Sequence, residues 1–347
     1  MMRGSIPATI RARAVYDSPL DVLLAPPSGP LIAALWGALW GSFLNVVIER
    51  LPRGESLMRP ASHCLGCGTP IRFYDNIPIL SYLLLRGRCR HCGARFSARY
   101  LLVELLGMVL SLLCFHHSVT AGTGSVAVRV AQFLVEFYFA LGLLAILFID
   151  IRTMIIPDAI TLPMLAVLPA AAIALRRVTW LDALIGAVVG FGVVWLLREI
   201  WLRLRGEEGI GLGDGKLLAV VAGVLGWRSL PIVLLLGSVQ GLLVALPLRW
   251  LGRSALAREA YQGTAVRAAG PTAEHGDAPG QGGDSGAGAD AQAEAGAQHE
   301  DDSLVYDEIR ADAVPFGPFL ALAAIEFLFL GEAIQRFLAD VLNGVLF

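Results

Sequence analysis

Residues 209–216 read Gly209-Ile210-Gly211-Leu212-Gly213-Asp214-Gly215-Lys216 and open the apolar segment 217–225. Their glycine spacing fits neither common nucleotide-binding loop. The dinucleotide fingerprint needs a glycine where Asp214 or Lys216 stands, and the P-loop needs one at Ile210. The pattern predicts instead a glycine-rich hairpin that delivers Asp214 to a helix start, where free N–H groups and the positive dipole end stabilise a carboxylate. Asp214 is therefore either a functional carboxylate or a helix cap.

The composition is that of a membrane protein. The chain of 347 residues is 56% hydrophobic and 16% charged, with a mean hydropathy of +0.66, which is far more apolar than a soluble globular protein. Because about 20 apolar residues cross a bilayer as a helix, we predict an all-α polytopic membrane protein with about eight transmembrane helices and a cytoplasmic zinc-binding loop. The candidate spans lie near 31–48, 101–118, 130–149, 159–175, 180–197, 214–227, 229–248 and 315–346.

The loop 49–100 sets the predicted topology. It holds nine arginines against three carboxylates, so the positive-inside rule places it in the cytoplasm. Counting crossings from this loop puts Asp150 and Asp214 on the same cytoplasmic face, which permits the two carboxyl groups to meet. Arg176 and Arg177 fall on the opposite face, against the rule. The nine arginines are Arg50, Arg53, Arg59, Arg72, Arg86, Arg88, Arg90, Arg95 and Arg99.

Two Cys-x-x-Cys pairs lie in the same loop. Cys64 and Cys67 form the first pair, and Cys89 and Cys92 form the second after 21 intervening residues. Nearby glycines suit the tight turns that bring four thiolates onto one tetrahedral zinc ion. A reducing cytoplasm favours zinc over disulfides. Four cysteines leave no coordination position open, so we predict a structural zinc and no zinc catalysis.

The first predicted span carries a stripe of small and polar residues. Gly37, Gly41 and Asn45 are four apart and share one helix face. Such a stripe favours close packing of a neighbouring helix, and Asn45 either hydrogen-bonds across that contact or reaches a ligand.

A second carboxylate ends an apolar stretch upstream of the glycine-rich run. Residues 133–149 are followed by Asp150-Ile151-Arg152-Thr153-Met154-Ile155-Ile156-Pro157-Asp158, and an apolar stretch then resumes. Asp158 follows a proline and precedes an apolar helix, which is typical of a helix cap or first turn.

The sequence motifs around these two carboxylates resemble those of the type IV prepilin peptidase family. Members of that family are membrane aspartic proteases that also N-methylate their products. The resemblance rests on an Asp before x6-Pro-Asp and on Gly-x-Gly-Asp, and further similar stretches lie near 41–53, 64–104 and 314–321. In that family the positions matching Asp150 and Asp214 are the catalytic pair. The resemblance therefore favours Asp150 over Asp158 as the partner of Asp214.

Three neighbours are expected to support Asp214. Gly211 and Gly213 supply the glycine-rich turn. Lys216 is the single lysine of the chain, and it either acts on the Asp214 carboxyl group or meets phospholipid headgroups.

The resemblance implies an enzyme with two activities in the bacterial inner membrane, with its active site facing the cytoplasm. An aspartate dyad would cleave the leader peptide of type IV prepilins or pseudopilins, because two carboxyl groups that share a site hold one proton between them. The enzyme would then transfer a methyl group from S-adenosyl-L-methionine to the new N-terminus. The sequence does not assign the residues that bind this methyl donor. The expected partners are these substrates and the lipid bilayer, not nucleic acid.

Composition and resemblance divide the chain into five parts. These are an N-terminal tail 1–30, first spans 31–130 with the zinc loop and a link to methyl transfer, a peptidase core 131–250, a linker 251–312 and a C-terminal membrane segment 313–347. Gly, Ala, Asp, Glu and Gln dominate the linker, so it buries too little surface to offset chain entropy and is expected to be disordered.

Two other functions are open at this point. A proton-coupled transporter would use Glu136, Asp150 and Asp214 as a relay, and it predicts an internal repeat that the sequence does not contain. A non-catalytic scaffold would bind a partner through its zinc loop and leaves the two aspartates unexplained. Glu136, within the third span, needs a polar partner that the sequence does not name.

Overall fold

The structure, a computed structural model, describes residues 19–64, 66–206, 211–250 and 315–346. Gly209, Ile210 and the predicted linker 251–312 lie outside these residues. The described chain is helical, and only two isolated β-bridges join extended backbone within it. Its α-helices are α1 (Pro19–Leu24), α2 (Ser28–Arg50), α3 (Leu80–Leu84), α4 (Ala98–Phe115), α5 (Val126–Thr153), α6 (Asp158–Ala174), α7 (Trp180–Arg205), α8 (Leu212–Leu225), α9 (Ser229–Trp250) and α10 (Gly317–Leu346).

Each of the eight predicted spans corresponds to one helix, which confirms the helical membrane fold. Among the described residues, six helices are long and apolar enough to cross a bilayer. The other two are α6, with 17 residues, and α8, with 14. At 1.5 Å per residue α8 is about 21 Å long, shorter than the hydrocarbon core of about 30 Å. It ends at Gly226, whose φ of 84° and ψ of 158° depart from the helical conformation.

Helix α5 lies at the centre of the bundle. From residue 137 to residue 149 its side chains are apolar on all sides, as expected for a helix surrounded by protein. Phe137, Phe139, Leu143 and Ile146 have no solvent exposure, and α2, α4, α6 and α10 all pack against this helix. The C-terminal end of α5 carries Asp150, so the core of the protein fixes the position of that carboxyl group.

Helices α7 and α8 form an antiparallel pair joined by small residues. A Cβ atom at Gly186 would lie 2.5 Å from the carbonyl oxygen of Ala222, and one at Gly190 would lie 2.8 Å from that of Leu218. These distances leave no room for a side chain, so the two backbones touch. The contact helps bury every residue of α8 from Leu217 to Val224.

The predicted stripe on α2 packs against α4. A Cβ at Gly37 would overlap the backbone of Gly107, and one at Gly41 would overlap that of Glu104. The Asn45 side-chain amide donates a hydrogen bond to the Tyr100 carbonyl at 3.0 Å. The expectation of close packing is therefore confirmed, with Asn45 bonded across the helix contact.

The chain divides into two compact units. The first comprises Met1–Gly237 and Phe316–Phe347 and contains both aspartates and all five cysteines. The second is Ser238–Pro315, of which the structure describes residues 238–250 and Pro315.

Candidate active site

Asp150 lies in the last turn of α5 and is 4% exposed. The helix ends because Met154 adopts a left-handed backbone with φ 52°, and its N–H donates to the Asp150 carbonyl at 2.8 Å. The Asp150 carboxylate accepts a hydrogen bond from the backbone N–H of Gly317, at the start of α10. Two helices that are far apart in sequence therefore hold this carboxyl group.

Asp214 is the third residue of α8 and is partly buried. The N-cap of the helix is Gly211, and no side chain caps it. The interpretation of Asp214 as the helix cap is therefore wrong. The carboxyl group lies within the first turn instead, where unpaired N–H groups and the helix dipole favour a negative charge.

The structure brings Asp150 and Asp214 together. Their carboxyl groups are close enough for their charges to interact, although the residues are far apart in the chain. The C-terminal end of one helix and the N-terminal end of another thus meet at one end of the bundle. Asp158 begins α6 with Pro157 as its N-cap, and it is exposed, which agrees with its predicted place in a first helical turn.

Glycines allow three helix ends to converge around Ile156. A Cβ at Gly213 would lie 3.0 Å from the Ile156 Cβ, and one at Gly317 would overlap the Asp150 carboxylate and approach Ile156 to 3.0 Å. Gly213 therefore lies in close contact with Ile156, and its supporting role for Asp214 stays a prediction. A Cβ at Gly211 would meet no atom closer than 4.0 Å, so crowding does not require glycine there.

Lys216 has a different partner from the two that were predicted. Its ammonium group lies 2.6 Å from the Asp158 carboxylate, and the two side chains are 28% and 54% exposed. This ion pair joins the first turn of α8 to the first turn of α6. An exposed pair of this kind contributes about 0–1 kcal/mol.

Glu136 belongs to a separate cluster. It accepts hydrogen bonds from His117 at 3.0 Å and Ser118 at 2.5 Å, and Arg177 pairs with it at 2.5 Å. Glu136 precedes Asp150 by 14 helical residues, or about 21 Å along α5. This separation is too long for direct proton transfer between the two carboxyl groups. The pair with Glu136 gives Arg177 a buried partner.

Glu49 connects the N-terminal helices to the helix that carries Asp150. It accepts hydrogen bonds from Arg99 at 2.6 Å, Arg53 at 2.8 Å and Arg152 at 3.1 Å. Arg152 is two residues beyond Asp150. The charged end of α2 therefore contacts the start of α4 and the end of α5.

The four loop cysteines converge as predicted. Cys64, Cys67, Cys89 and Cys92 place their sulfur atoms within 4.8 Å of one another. Each pair uses the same turn: the Cys64 N–H donates to the Thr69 carbonyl at 2.9 Å, and the Cys89 N–H donates to the Ala94 carbonyl at 2.8 Å. A glycine with positive φ follows in both turns. The two equivalent turns make a nearly symmetrical sulfur cluster.

The geometry of this cluster fits zinc. A Zn–S bond of about 2.3 Å in a tetrahedron separates the sulfur atoms by about 3.8 Å, and the Cys64 and Cys92 sulfurs are 3.8 Å apart. No disulfide joins any cysteine of the chain. Hydrogen bonding with Thr69 lowers the pKa of the Cys67 thiol to about 6, whereas hydrogen bonding with the neighbouring cysteines raises that of Cys92 to about 11.

Comparison with known proteins assigns the family. The bacterial peptidase A24 N-terminal domain matches residues 35–118, and the type IV leader peptidase family matches residues 137–246. A prepilin leader peptidase/N-methyltransferase of Myxococcus xanthus (strain DK1622) is 34% identical over 330 residues, which are 90% of this chain and 95% of that protein. The chain belongs to the type IV leader peptidase family.

Other members of the type IV leader peptidase family give the same result. The prepilin leader peptidase/N-methyltransferase of Aeromonas salmonicida (strain A449) is 40% identical over 232 residues, covering 60% of this chain and 77% of that protein. That of Burkholderia pseudomallei (strain 1026b) is 35% identical over 267 residues, covering 69% and 84%. No solved structure matches the chain. The N-terminal match contains the cysteine cluster, and the leader peptidase match contains both Asp150 and Asp214.

Two contributors to the site were missed by sequence reasoning. Gly317 lies in the segment 314–321, whose similarity to the family was noted without a role, and Ile156 lies between the two predicted carboxylates. Both act through contacts between elements that are distant in sequence. The signal that could have identified Gly317 is the proline that follows it, because proline is common at the first position of a helix.

Proposed function

We propose that this protein cleaves the leader peptide of type IV prepilins or pseudopilins and then N-methylates the new N-terminal residue. The names of the relatives support both activities, since each is called a prepilin leader peptidase/N-methyltransferase. The observation that carries the peptidase assignment is the meeting of Asp150 and Asp214 at one end of the bundle.

The chemistry follows from two carboxyl groups in one partly buried site. Because both cannot easily ionise together, they share one proton, and their titration belongs to the pair. The protonated carboxyl donates to the carbonyl oxygen of the scissile peptide bond. The ionised carboxyl takes a proton from water as the water oxygen attacks the carbonyl carbon. Gly317 would hold the Asp150 carboxyl group in place during this step.

The membrane location supports a substrate with an apolar helix beside a polar leader. The aspartates lie at the ends of apolar helices. They would therefore reach the junction between leader and helix while the apolar helix of the substrate stays in the bilayer. We propose an inner-membrane protein whose aspartates face the cytoplasm, because the arginine-rich loop lies at the same side by the crossing count.

Methyl transfer is proposed for residues 31–130 and peptide cleavage for 131–250. The family matches support this division, since the A24 N-terminal match ends at residue 118 and the leader peptidase match begins at 137. S-adenosyl-L-methionine is the proposed methyl donor.

The proposed metal is one structural zinc ion held by Cys64, Cys67, Cys89 and Cys92. Zinc would tie the two turns of the loop together and supply folding free energy there. Elemental analysis of purified protein should give about one zinc per chain, and Cys64→Ser should lose it. Cys114→Ser is the control, because that cysteine is buried in α4 away from the cluster. Folded, active protein without zinc would contradict this proposal.

The experiment that tests the dyad is cleavage of a prepilin peptide by the Asp150→Asn and Asp214→Asn variants, followed by mass spectrometry. Each amide removes the shared proton, so the rate should fall by about 10²- to 10⁴-fold. Asp158→Asn is the matched control, since Asp158 lies close in sequence and pairs with Lys216. It should retain substantial activity.

Methylation separates the two activities. Each Asn variant, given a peptide that already lacks its leader, should still add the mass of one methyl group, which also proves that the variant is folded. Leader cleavage at the wild-type rate by either folded variant would falsify the dyad.

A further inference from the structure

A cavity of about 510 Å³ opens at the end of α8 opposite Asp214. It lies between the connection from α6 to α7 and the connection from α8 to α9, and Gln335 of α10 also lines it. Along the antiparallel helix pair, Val194 faces Gly215 near Asp214, and Asp182 faces Gly226 at the cavity. Helix α8 separates the two places by about 21 Å. The cavity is therefore distinct from the candidate active site.

Arginine dominates the charge of this cavity. Arg176, Arg177 and Arg228 line it, and the one carboxylate in its lining is Asp182. Arg177 pairs with the buried Glu136. Within the described part of the chain, neither Arg176 nor Arg228 has an ion-pair partner. Two exposed guanidinium groups thus remain available to a ligand.

Asp182 does not neutralise these two arginines, because it serves the helix start. The Thr179 hydroxyl accepts from the Asp182 N–H at 3.1 Å and donates to the Asp182 carboxylate at 2.7 Å. The ends of α6 and α8 and the starts of α7 and α9 also lie beside the cavity. Their opposite dipoles offset one another, so the side-chain charges decide what binds.

Aromatic and apolar side chains place the cavity at a membrane surface. Trp180 and Trp227 line it and are 61% and 40% exposed, and tryptophan is enriched where a helix meets the headgroup layer. The Arg228 guanidinium lies 5.6 Å from the ring centroid of Trp227. Beyond Trp180, Leu181 and Leu184 are exposed on α7 and continue the apolar surface into the bilayer.

We propose that this cavity binds the phosphodiester headgroup of an anionic phospholipid. Arg176 and Arg228 would contact the phosphate oxygens, for which the planar guanidinium is well suited. The tryptophans would pack against the glycerol region, and an acyl chain would follow Leu181 and Leu184 along α7. A free phosphate ion shares the charge chemistry but lacks the apolar contacts.

The test uses the full-length protein in detergent and measures retained lipid by native mass spectrometry. Wild-type protein should retain phosphatidylglycerol in preference to phosphatidylcholine. In Arg176→Gln/Arg228→Gln, retention of phosphatidylglycerol should fall by about 30-fold, since each basic residue near an anionic lipid surface contributes about 5-fold. Arg205→Gln is the matched control, because Arg205 also lies over a tryptophan, Trp201, at the other end of α7.

Each further outcome decides the proposal. Retention that is equal in wild type and the double variant would overturn it, as would equal binding of both lipids by wild type. Displacement of the lipid by millimolar inorganic phosphate would identify free phosphate as the ligand and also reject a lipid site. Arg176→Lys/Arg228→Lys, which keeps the charge, should restore part of the retention. Normal peptide cleavage by the double variant verifies its fold and separates this site from the proposed peptidase activity.

Discussion

At the scale of single residues, Gly317 is the position with the least room beside the two aspartates. Its N–H donates to the Asp150 carboxylate, and its missing side chain leaves the space that this carboxylate occupies. Any larger residue must move the carboxylate or the start of α10. The geometry of the dyad therefore depends on a glycine more than 160 residues away from Asp150 in the chain.

Gly317→Ala should slow leader cleavage by about 5- to 150-fold, because overpacking of a fixed site costs about 1–3 kcal/mol. Methylation of a peptide that lacks its leader should be unchanged. The measurement is the cleavage rate of a prepilin peptide beside the thermal midpoint of each protein.

Gly192→Ala is the control for this substitution. It also adds one methyl group to a helical glycine, but no atom lies within 4 Å of its Cβ position. Its cleavage rate should match wild type. Normal cleavage by Gly317→Ala would show that the carboxylate adjusts freely and that Gly317 does not position it.

At the scale of helices, the antiparallel contact of α7 with α8 fixes the position of Asp214. Helix α8 is too short to hold itself in place, and its burial depends on glycines of α7 that allow backbone contact. A side chain at Gly190 would push against the Leu218 carbonyl. The first turn of α8 would then shift relative to α5, together with Asp214.

Gly190→Leu should therefore lower both the thermal midpoint and the cleavage rate, since a bulky side chain in a close backbone contact costs at least about 1–3 kcal/mol. Gly192→Leu, two residues along the same helix and facing open space, serves as the comparison. Thermal unfolding in detergent and peptide cleavage measure the two effects. Equal stability of the two variants would contradict the assigned packing of α7 on α8.

Much of this architecture follows from local sequence. Long apolar stretches predicted the eight helices, and the spacing of Cys64, Cys67, Cys89 and Cys92 predicted their convergence, because both signals lie within short segments. The pairing of Asp150 with Asp214 came from a motif and a count of crossings. The ion pair of Lys216 with Asp158 was not predicted, because proximity in sequence pointed to Asp214 whereas the packing of α6 on α8 places Asp158 beside Lys216.

Other contacts were beyond sequence reasoning. The partners of Glu136 come from the turn after α4 and from the connection that follows α6. The hydrogen bond from Gly317 requires α10 to begin beside the end of α5. These contacts depend on how helices are arranged around one another, which hydrophobic patterns do not specify.

At the scale of the whole molecule, chemistry is distributed between the two ends of the bundle. The aspartates lie at one end, and Glu136 and the arginine-lined cavity lie at the other. Glu49 joins the N-terminal helix pair to the helix of Asp150. The helices proposed for methyl transfer therefore share an ionic contact with those proposed for cleavage.

The short lengths of α6 and α8 have a consequence for the surrounding lipid. With 17 residues, α6 is about 26 Å long, and its outer face carries exposed apolar residues such as Leu162 and Val167. A bilayer beside it thins to avoid hydrophobic mismatch. Thinning on this side would bring the water boundary of the membrane down toward Asp150 and Asp214, so a substrate helix would need less distortion to reach them. Leader cleavage should accordingly be faster in vesicles of short-chain lipids than in long-chain ones, and the opposite order would show that the protein does not deform its bilayer.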